Sequence, residues 1–239
     1  MHASLVRSLI PLLMLCAGAP ALAQTLDEDA MRERLASCAA CHGENGEGIG
    51  GRVYYPHIAG KPADYLFEQL RGFRDGRRHY PSMTYLVQYM DDAWLREIAD
   101  FYAAQAPVSH PAATAPLAPA TRARAERLVH EGDGTAGVPA CTACHGADLA
   151  GIEPGIPALV GLPADYVIAQ MGGWRNGLRR GLEPDCMAEI AHALSLEDIS
   201  AVANWLARQP HVPGTRPAAA GSLEPPMACG SLMPAEAAP

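Results

Sequence analysis

Apolar side chains return at helical rather than alternating spacing along most of this chain. From Asp64 to Arg74, the residues Tyr65, Leu66, Leu70 and Phe73 keep the period of an α-helix, and Asp165 to Arg175 repeats the arrangement. Ser195-Leu-Glu-Asp198 reads as a capping box ahead of Ile199, Val202, Ala203 and Leu206. A matching helix is expected from Asp91 or Asp92, carrying Leu95, Ile98 and Phe101 or Tyr102. Thr25-Leu-Asp-Glu28 is a further capping box, opening a helix that runs toward Cys38. No stretch alternates with period two, and Gly and Pro crowd the connections. The expected class is all-α.

The same pattern shows that one domain is written twice. Cys38-Ala-Ala-Cys41-His42-Gly returns as Cys141-Thr-Ala-Cys144-His145-Gly, and Pro56-His-Ile-Ala-Gly-Lys-Pro-Ala-Asp-Tyr65 as Pro157-Ala-Leu-Val-Gly-Leu-Pro-Ala-Asp-Tyr166. Gln69, Phe73 and Gly76 answer to Gln170, Trp174 and Gly177, and Met83 answers to Met187. The expected domains are 24–105 and 121–212. Residues 106–120, with four prolines and almost no charge, form a semi-rigid linker between them. Residues 213–239 read as a Pro-rich tail without a core of its own.

The first 23 residues set the compartment. Arg7 precedes an apolar run from Leu9 to Leu22 that ends in Ala21-Leu22-Ala23, a small-x-small cleavage site, so 1–23 is expected to be a signal peptide cut after Ala23. Cys16 follows Leu15, where a lipoprotein signal wants a small residue. No later stretch is long and apolar enough to span a bilayer, so the expected location is the periplasm. The formal charge is −8, and losing Arg7 with the signal makes the chain more acidic by one. With one lysine, Lys61, and an excess of acid, nucleic acid is excluded as a partner. Redox proteins with basic patches are expected instead, with peripheral docking to a membrane complex among the arrangements this allows.

C-x-x-C-H is the signature of covalent haem attachment. Two thiols at i and i+3 face one side of a helical turn and add to the vinyl groups, while the following histidine ligates the iron. This assigns two haem c groups, to Cys38, Cys41 and His42, and to Cys141, Cys144 and His145. A structural zinc site needs four ligands, and a redox C-x-x-C has no use for a following histidine. Each repeat has only about 85–90 residues, a size at which an apolar core alone is marginal, so haem also supplies missing apolar mass. Met83 and Met187, at equivalent positions, are the candidate sixth ligands. Met90 aligns with Leu194 and fits core packing better. His57 and His79 have no histidine counterpart in the second repeat and are read as surface or loop residues. Pro56 and Pro157 offer carbonyls to the imidazoles. Arg77, Arg78, Arg179 and Arg180 either meet haem propionates or stand as solvated arginines. Of the seven cysteines, Cys186 and Cys229 remain, either as a disulfide or as two unpaired thiols.

Tandem C-x-x-C-H-G, Pro-x-x-x-Gly and Tyr-x-x-x-Gln motifs, with a Gly-Arg loop and then Met, resemble the cytochrome c4 family over roughly residues 30–107 and 124–210. The resemblance implies two class I-like haem domains related by a pseudo-twofold axis, with propionate edges facing. It also implies ligation by His42 with Met83 and His145 with Met187, and imidazole acceptors at Pro56 and Pro157. One-electron transfer follows: a dihaem carrier between a quinol- or substrate-oxidising enzyme and a terminal oxidase or reductase, free or as a dehydrogenase subunit. The sequence departs from the family in the second Gly-Arg loop, three residues longer between glycine and methionine, and in the tail with Cys229. Because Cys186 stands beside Met187, the rival reading is a haem enzyme of thiosulfate-dehydrogenase or dihaem-peroxidase type, with Cys186 as a ligand of the second haem.

Overall fold

The computed structural model describes residues 28–50, 54–108, 113–210 and 214–232. The expected signal peptide, Cys16, most of the first capping box, the middle of the linker and both ends of the tail lie outside these residues. The chain divides into two units, Met1–Ser37 and Cys38–Pro239. In the first, residues 28–34 are helical. The remaining structure belongs to the second, apart from a helix that begins just before it.

In chain order the helices that follow are α1 (Ala36–His42), α2 (Ala63–Arg74), α3 (Pro81–Val87), α4 (Asp92–Ala104), α5 (Pro119–His130), α6 (Thr142–His145), α7 (Ala164–Arg175), α8 (Cys186–Ala193) and α9 (Leu196–Leu206). A 3₁₀ turn at Gly230–Leu232 closes the described chain. Among the described residues β pairing is confined to isolated bridges, so the molecule is all-α. α4 and α9 start where the capping pattern predicts. Asp91 accepts a hydrogen bond from the Trp94 N–H, and Ser195 accepts one from the Asp198 N–H, each satisfying a donor that the first helical turn leaves unpaired.

Three helices were not legible in the sequence, α5 and the two methionine helices. α3 and α8 are only seven and eight residues long, too short for a periodic signal, and each carries one of the candidate methionines. Proline occupies the first turn of α3 and of α5, where its missing N–H costs nothing. α5 therefore takes in the last two residues of the expected linker.

In the first repeat α2 packs on α3 and α4, burying Leu66, Phe67, Phe73, Val87, Leu95, Ile98 and Tyr102. In the second, α7 packs on α8 and α9, and α9 also packs on α5. The core there gathers Leu128, Val129, Met171, Leu194, Ile199, Val202, Trp205 and Leu206. The arginine that closes α2 donates to the Met90 carbonyl (Arg74 Nη1, 3.1 Å), and its counterpart on α7 donates to the Leu194 carbonyl (Arg175 Nη1, 3.0 Å). Met90 thus occupies the structural place of Leu194, at the end of the methionine helix.

The tail is ordered by docking. Ala218 bridges to Ile152, and its carbonyl accepts from the Glu153 N–H at 2.8 Å. Further on, the Gly230 N–H donates to the Pro184 carbonyl at 2.9 Å. A Cβ on Gly230 would strike the Leu182 and Glu183 carbonyls, so a side chain is excluded at this crossing.

Candidate functional site

Each C-x-x-C-H histidine sits at the end of its helix and is buried. His42 Nδ1 lies 2.8 Å from the Pro56 carbonyl, and His145 Nδ1 lies 2.9 Å from that of Pro157. A carbonyl can only accept, so Nδ1 carries the proton in both rings and Nε2 presents its lone pair. Burial lowers the pKa of both imidazoles, and Nδ1–H donation to the proline carbonyls opposes that shift. The result is a neutral, oriented imidazole, the form that binds a metal. α1 is a seven-residue helix holding Cys38, Cys41 and His42, whereas α6 is a single turn that Cys141 precedes. None of the four C-x-x-C cysteines is in a disulfide.

The repeats meet through their Gly-Arg loops. Arg78 bridges to Arg179, the His79 N–H donates to the Leu178 carbonyl, and the Arg180 N–H donates to the Arg77 carbonyl, both at 2.7 Å. Side chains cross the same boundary in near-twofold fashion. Arg78 donates to Gln69 at 3.0 Å and to Gln170 at 2.8 Å. Arg179 donates to Gln170 at 2.9 Å and to Gln69 at 3.0 Å. Tyr166 and Tyr65 complete the pair, each 3.3 Å from the arginine of the other repeat. The four candidate arginines therefore separate. Arg78 and Arg179 are committed to this junction, while Arg77 pairs with Glu68 and Arg180 reaches the Gly76 carbonyl at the surface.

His57 is not a surface residue. It is 5% exposed, because the segment after Tyr55 folds back against the first haem-attachment loop. Lys61 Nζ donates to His57 Nε2 at 3.4 Å, which leaves Nδ1–H to donate to the Tyr54 hydroxyl at 3.4 Å. Burial drives the Lys61 pKa down, and Arg179 and Arg78 lower it further. Burial alone would raise Tyr65, but Arg179, Arg78 and Lys61 outweigh it and bring the phenol down. His79 is exposed, as expected.

These features fit haem. Among the described residues no carboxylate lies within ion-pair reach of Lys61, Arg78 or Arg179, although Lys61 and Arg179 are buried. Buried cations of this kind call for anions that the protein does not supply, and haem propionates are such anions. The indole N–H of Trp174 is buried without a partner, with the Arg179 guanidinium 3.9 Å from the ring centre. It is a second donor awaiting an acceptor. Phe73, at the equivalent place in the first repeat, has no such donor, and Arg78 stacks on it at 4.6 Å.

The distal elements differ more. Met83 lies on α3 and Met187 on α8, each on a helix packed against the long helix of its repeat. Cys186 and Cys229 form a disulfide with Cα atoms 5.0 Å apart. A disulfide sulfur has no thiolate to offer, so Cys186 is not available to an iron, and the haem-enzyme reading built on it is not favoured. Asp185 caps α8, its carboxylate accepting from the N–H groups of Gly181 and Ala188. The tail touches two loops that flank the second site: 151–153, ahead of Pro157, and 182–186, ahead of Met187.

A helical pair of histidine sites with this donor set defines a c-type cytochrome, and a cytochrome c family model matches residues 32–103. Cytochrome c4 of Pseudomonas aeruginosa is 32% identical over 204 residues, covering 84% of this chain and 98% of that protein. A thiosulfate dehydrogenase electron acceptor of Thiomonas intermedia is 39% identical over 178 residues, covering 74% of this chain and 81% of that protein. Reduced cytochrome c4 from Pseudomonas stutzeri superposes with a TM-score of 0.62 at 29% identity, covering 77% of this chain and 99% of the other. The chain belongs to the cytochrome c4 family. It is a dihaem electron-transfer cytochrome with two covalently attached haem c groups, and it is not itself a catalyst.

Sequence reasoning found the histidines, cysteines and proline carbonyls but missed the pairing of Gln69, Gln170, Tyr65 and Tyr166 across the junction. A signal was present. Polar side chains recur at the same two positions of both amphipathic helices, where a purely solvated face has no reason to repeat them.

Proposed function

We propose that this chain is an exported, periplasmic electron acceptor that takes electrons one at a time from a substrate-oxidising enzyme and passes them toward a terminal oxidase or reductase. The observation that carries this reading is the duplicated, neutral histidine site joined by one polar junction, which provides two equivalent stations in a single chain. Thiosulfate dehydrogenase is the favoured donor, because relatives from Thiomonas intermedia and Stutzerimonas stutzeri are named as its electron acceptors. A quinol-oxidising complex is the other donor class. Among the described residues no helix is long and apolar enough to cross a membrane, in keeping with a carrier that docks at such enzymes.

Within this reading Cys38 and Cys41, and Cys141 and Cys144, hold the two haems through thioethers. His42 with Met83 and His145 with Met187 ligate the irons. When bound, haem supplies a one-electron couple whose potential follows axial ligand and burial. The protein's own part is to hold and screen it. Pro56 and Pro157 fix the imidazole planes and keep Nε2 unprotonated. Arg78, Arg179, Lys61 and the Trp174 N–H hold negative charge at the junction. Two protein ligands on each iron would leave no coordination position for a substrate.

Stopped-flow mixing of the oxidised holoprotein with thiosulfate dehydrogenase and thiosulfate tests the donor. Reduction of both haems at a rate proportional to enzyme concentration is expected. Reduction no faster than in the absence of the enzyme would exclude that donor.

A further inference from the structure

The single lysine of the chain is buried. Lys61 stands two residues before α2 and is 8% exposed, and the duplicated position in the second repeat is Leu162. An ammonium carries three N–H donors and no acceptor. Among the described residues Lys61 makes one hydrogen bond, to His57 Nε2 at 3.4 Å, and no carboxylate reaches it. His57 in turn meets the Tyr54 hydroxyl at 3.4 Å. Tyr54 is a neutral partner, because burial, with Tyr166 adding to it, pushes its phenol up to about 12. A cation buried among neutral groups is costly, whereas the leucine of the other repeat fills the same place without that cost.

The position of Lys61 assigns it to the first haem. His57, its partner, directly follows Pro56, the residue whose carbonyl orients the His42 ring. The second repeat builds the equivalent wall without charge. Ala158 and Leu162 stand where the first repeat has His57 and Lys61, and Gly155 stands where it has Tyr54. A Cβ on Gly155 would strike the Ser231 carbonyl, so the docked tail takes up the room that a side chain would need. Arg78 and Arg179 are shared across the junction in near-twofold fashion and cancel from the comparison. What the second side has of its own is the Trp174 N–H, a dipole without net charge.

Reduction of a ferric haem adds one negative charge to its site. A cation fixed nearby in low-dielectric surroundings favours that state, and burial protects the interaction from screening by salt. A neutral donor acts over the length of a hydrogen bond, whereas a net charge acts over a longer range. We propose that Lys61 is a potential-setting residue: its buried charge makes the first haem the easier of the two to reduce, so that a molecule holding one electron holds it in the first repeat. This rests on the electron-carrier reading above, with haem in both sites.

The test is a titration of the holoprotein against an electrode, with mediators, at pH 7. There the Tyr65 phenol, raised by burial but brought down to about 8 by Arg179, Arg78 and Lys61, is still mainly protonated. Haem methyl resonances, assigned to each repeat through its thioether bridges, report which haem is reduced at each step. In the wild type the first haem is expected to be reduced first. K61L installs the residue of the second repeat, and K61Q keeps N–H donors without the charge. Each is expected to weaken the first haem's hold on the electron, relative to the second, by about tenfold or more, at about 59 mV per factor of ten for a one-electron couple. R180Q removes an arginine charge at the surface of the same junction and is expected to leave this ratio near the wild-type value. Reduction of the second haem first in the wild type, no change in either Lys61 variant, an equal shift of both haems, or an equal effect of R180Q would overturn the proposal. Leucine and glutamine differ in shape and polarity but share the loss of charge, so a shift in one Lys61 variant alone would mark local repacking and overturn it too. Haems that fail to cycle reversibly at the electrode would overturn the carrier reading, and the proposal with it.

Discussion

The two repeats keep the same proximal site and part company on the distal side. His42 and His145 are held by proline carbonyls at 2.8 and 2.9 Å, nearly indistinguishable geometries on either side of the junction. The arginine, glutamine and tyrosine pairs of the junction match as well, but other surroundings do not. The first repeat packs Tyr54, His57 and Lys61 into the space where the second has Ala158 and Leu162. It carries Phe73 where the second has Trp174, and its methionine helix lies open where the second is bound to the tail. The lesson is that duplication preserves what covalent attachment and imidazole orientation demand. The buried polar surroundings and the outer surface, which tune and address each station, have been free to diverge.

This asymmetry can be broken from several directions. The largest effect is expected from C38A/C41A and C141A/C144A, each of which should reduce haem content from two to one per chain in a pyridine haemochrome assay. Loss of both haems from either variant would show that the repeats do not load independently. Next is C229S, which frees the tail from α8. Removing a disulfide across a long loop costs about 2–4 kcal/mol, so the melting temperature should fall. The near-infrared signature of thioether ligation should weaken at the second haem alone. An equal change at both haems would contradict a strap confined to the second repeat.

A smaller loss is expected from R179A, which removes buried hydrogen bonds to Gln69, Gln170 and Tyr65. Hydrogen bonds to charged groups contribute about 1.5–3 kcal/mol, whereas the exposed hydrogen bond that R180A removes contributes about 0–1 kcal/mol. Denaturant titration of the two variants checks the order, and an equal cost would deny the junction its special weight. The smallest effect concerns acid. Hydrogen bonds from Thr135 and then Arg124 hold Asp133 at about 2, below the 3.8 of a free aspartate, and Arg124 also lowers Asp198. Arg124 depresses both carboxyls, so this clamp stabilises the second repeat above about pH 4 and is lost as pH falls toward 2. R124A should flatten that part of the melting-temperature profile. A profile unchanged by the substitution would show that the clamp contributes nothing.

How far the fold could be read from sequence depended on whether each feature was local. The long amphipathic helices α2, α4, α7 and α9 and the caps at Asp91 and Ser195 involve residues within a turn or two of one another, and each was legible; α5, entered through the Pro-rich linker, was not. α3 and α8 were not, because two helical turns rich in proline, cysteine and tyrosine carry no clear period. His57 was misplaced for a related reason. Lacking a counterpart in the second repeat, it looked like loop decoration, but the chain folds it against Lys61, four residues on, in a buried pocket.

Sequence alone was sufficient for the all-α class, the family and the electron-transfer class with its two haem c groups, because thioether formation and imidazole ligation require particular atoms at fixed, contiguous spacing. Tertiary structure alone decided which arginines cross the junction and that Cys186 meets Cys229 across 43 residues. It also decided which of two equivalent helices stays open. Those outcomes depend on distances between segments far apart in the chain, and no local pattern of side chains encodes such a distance.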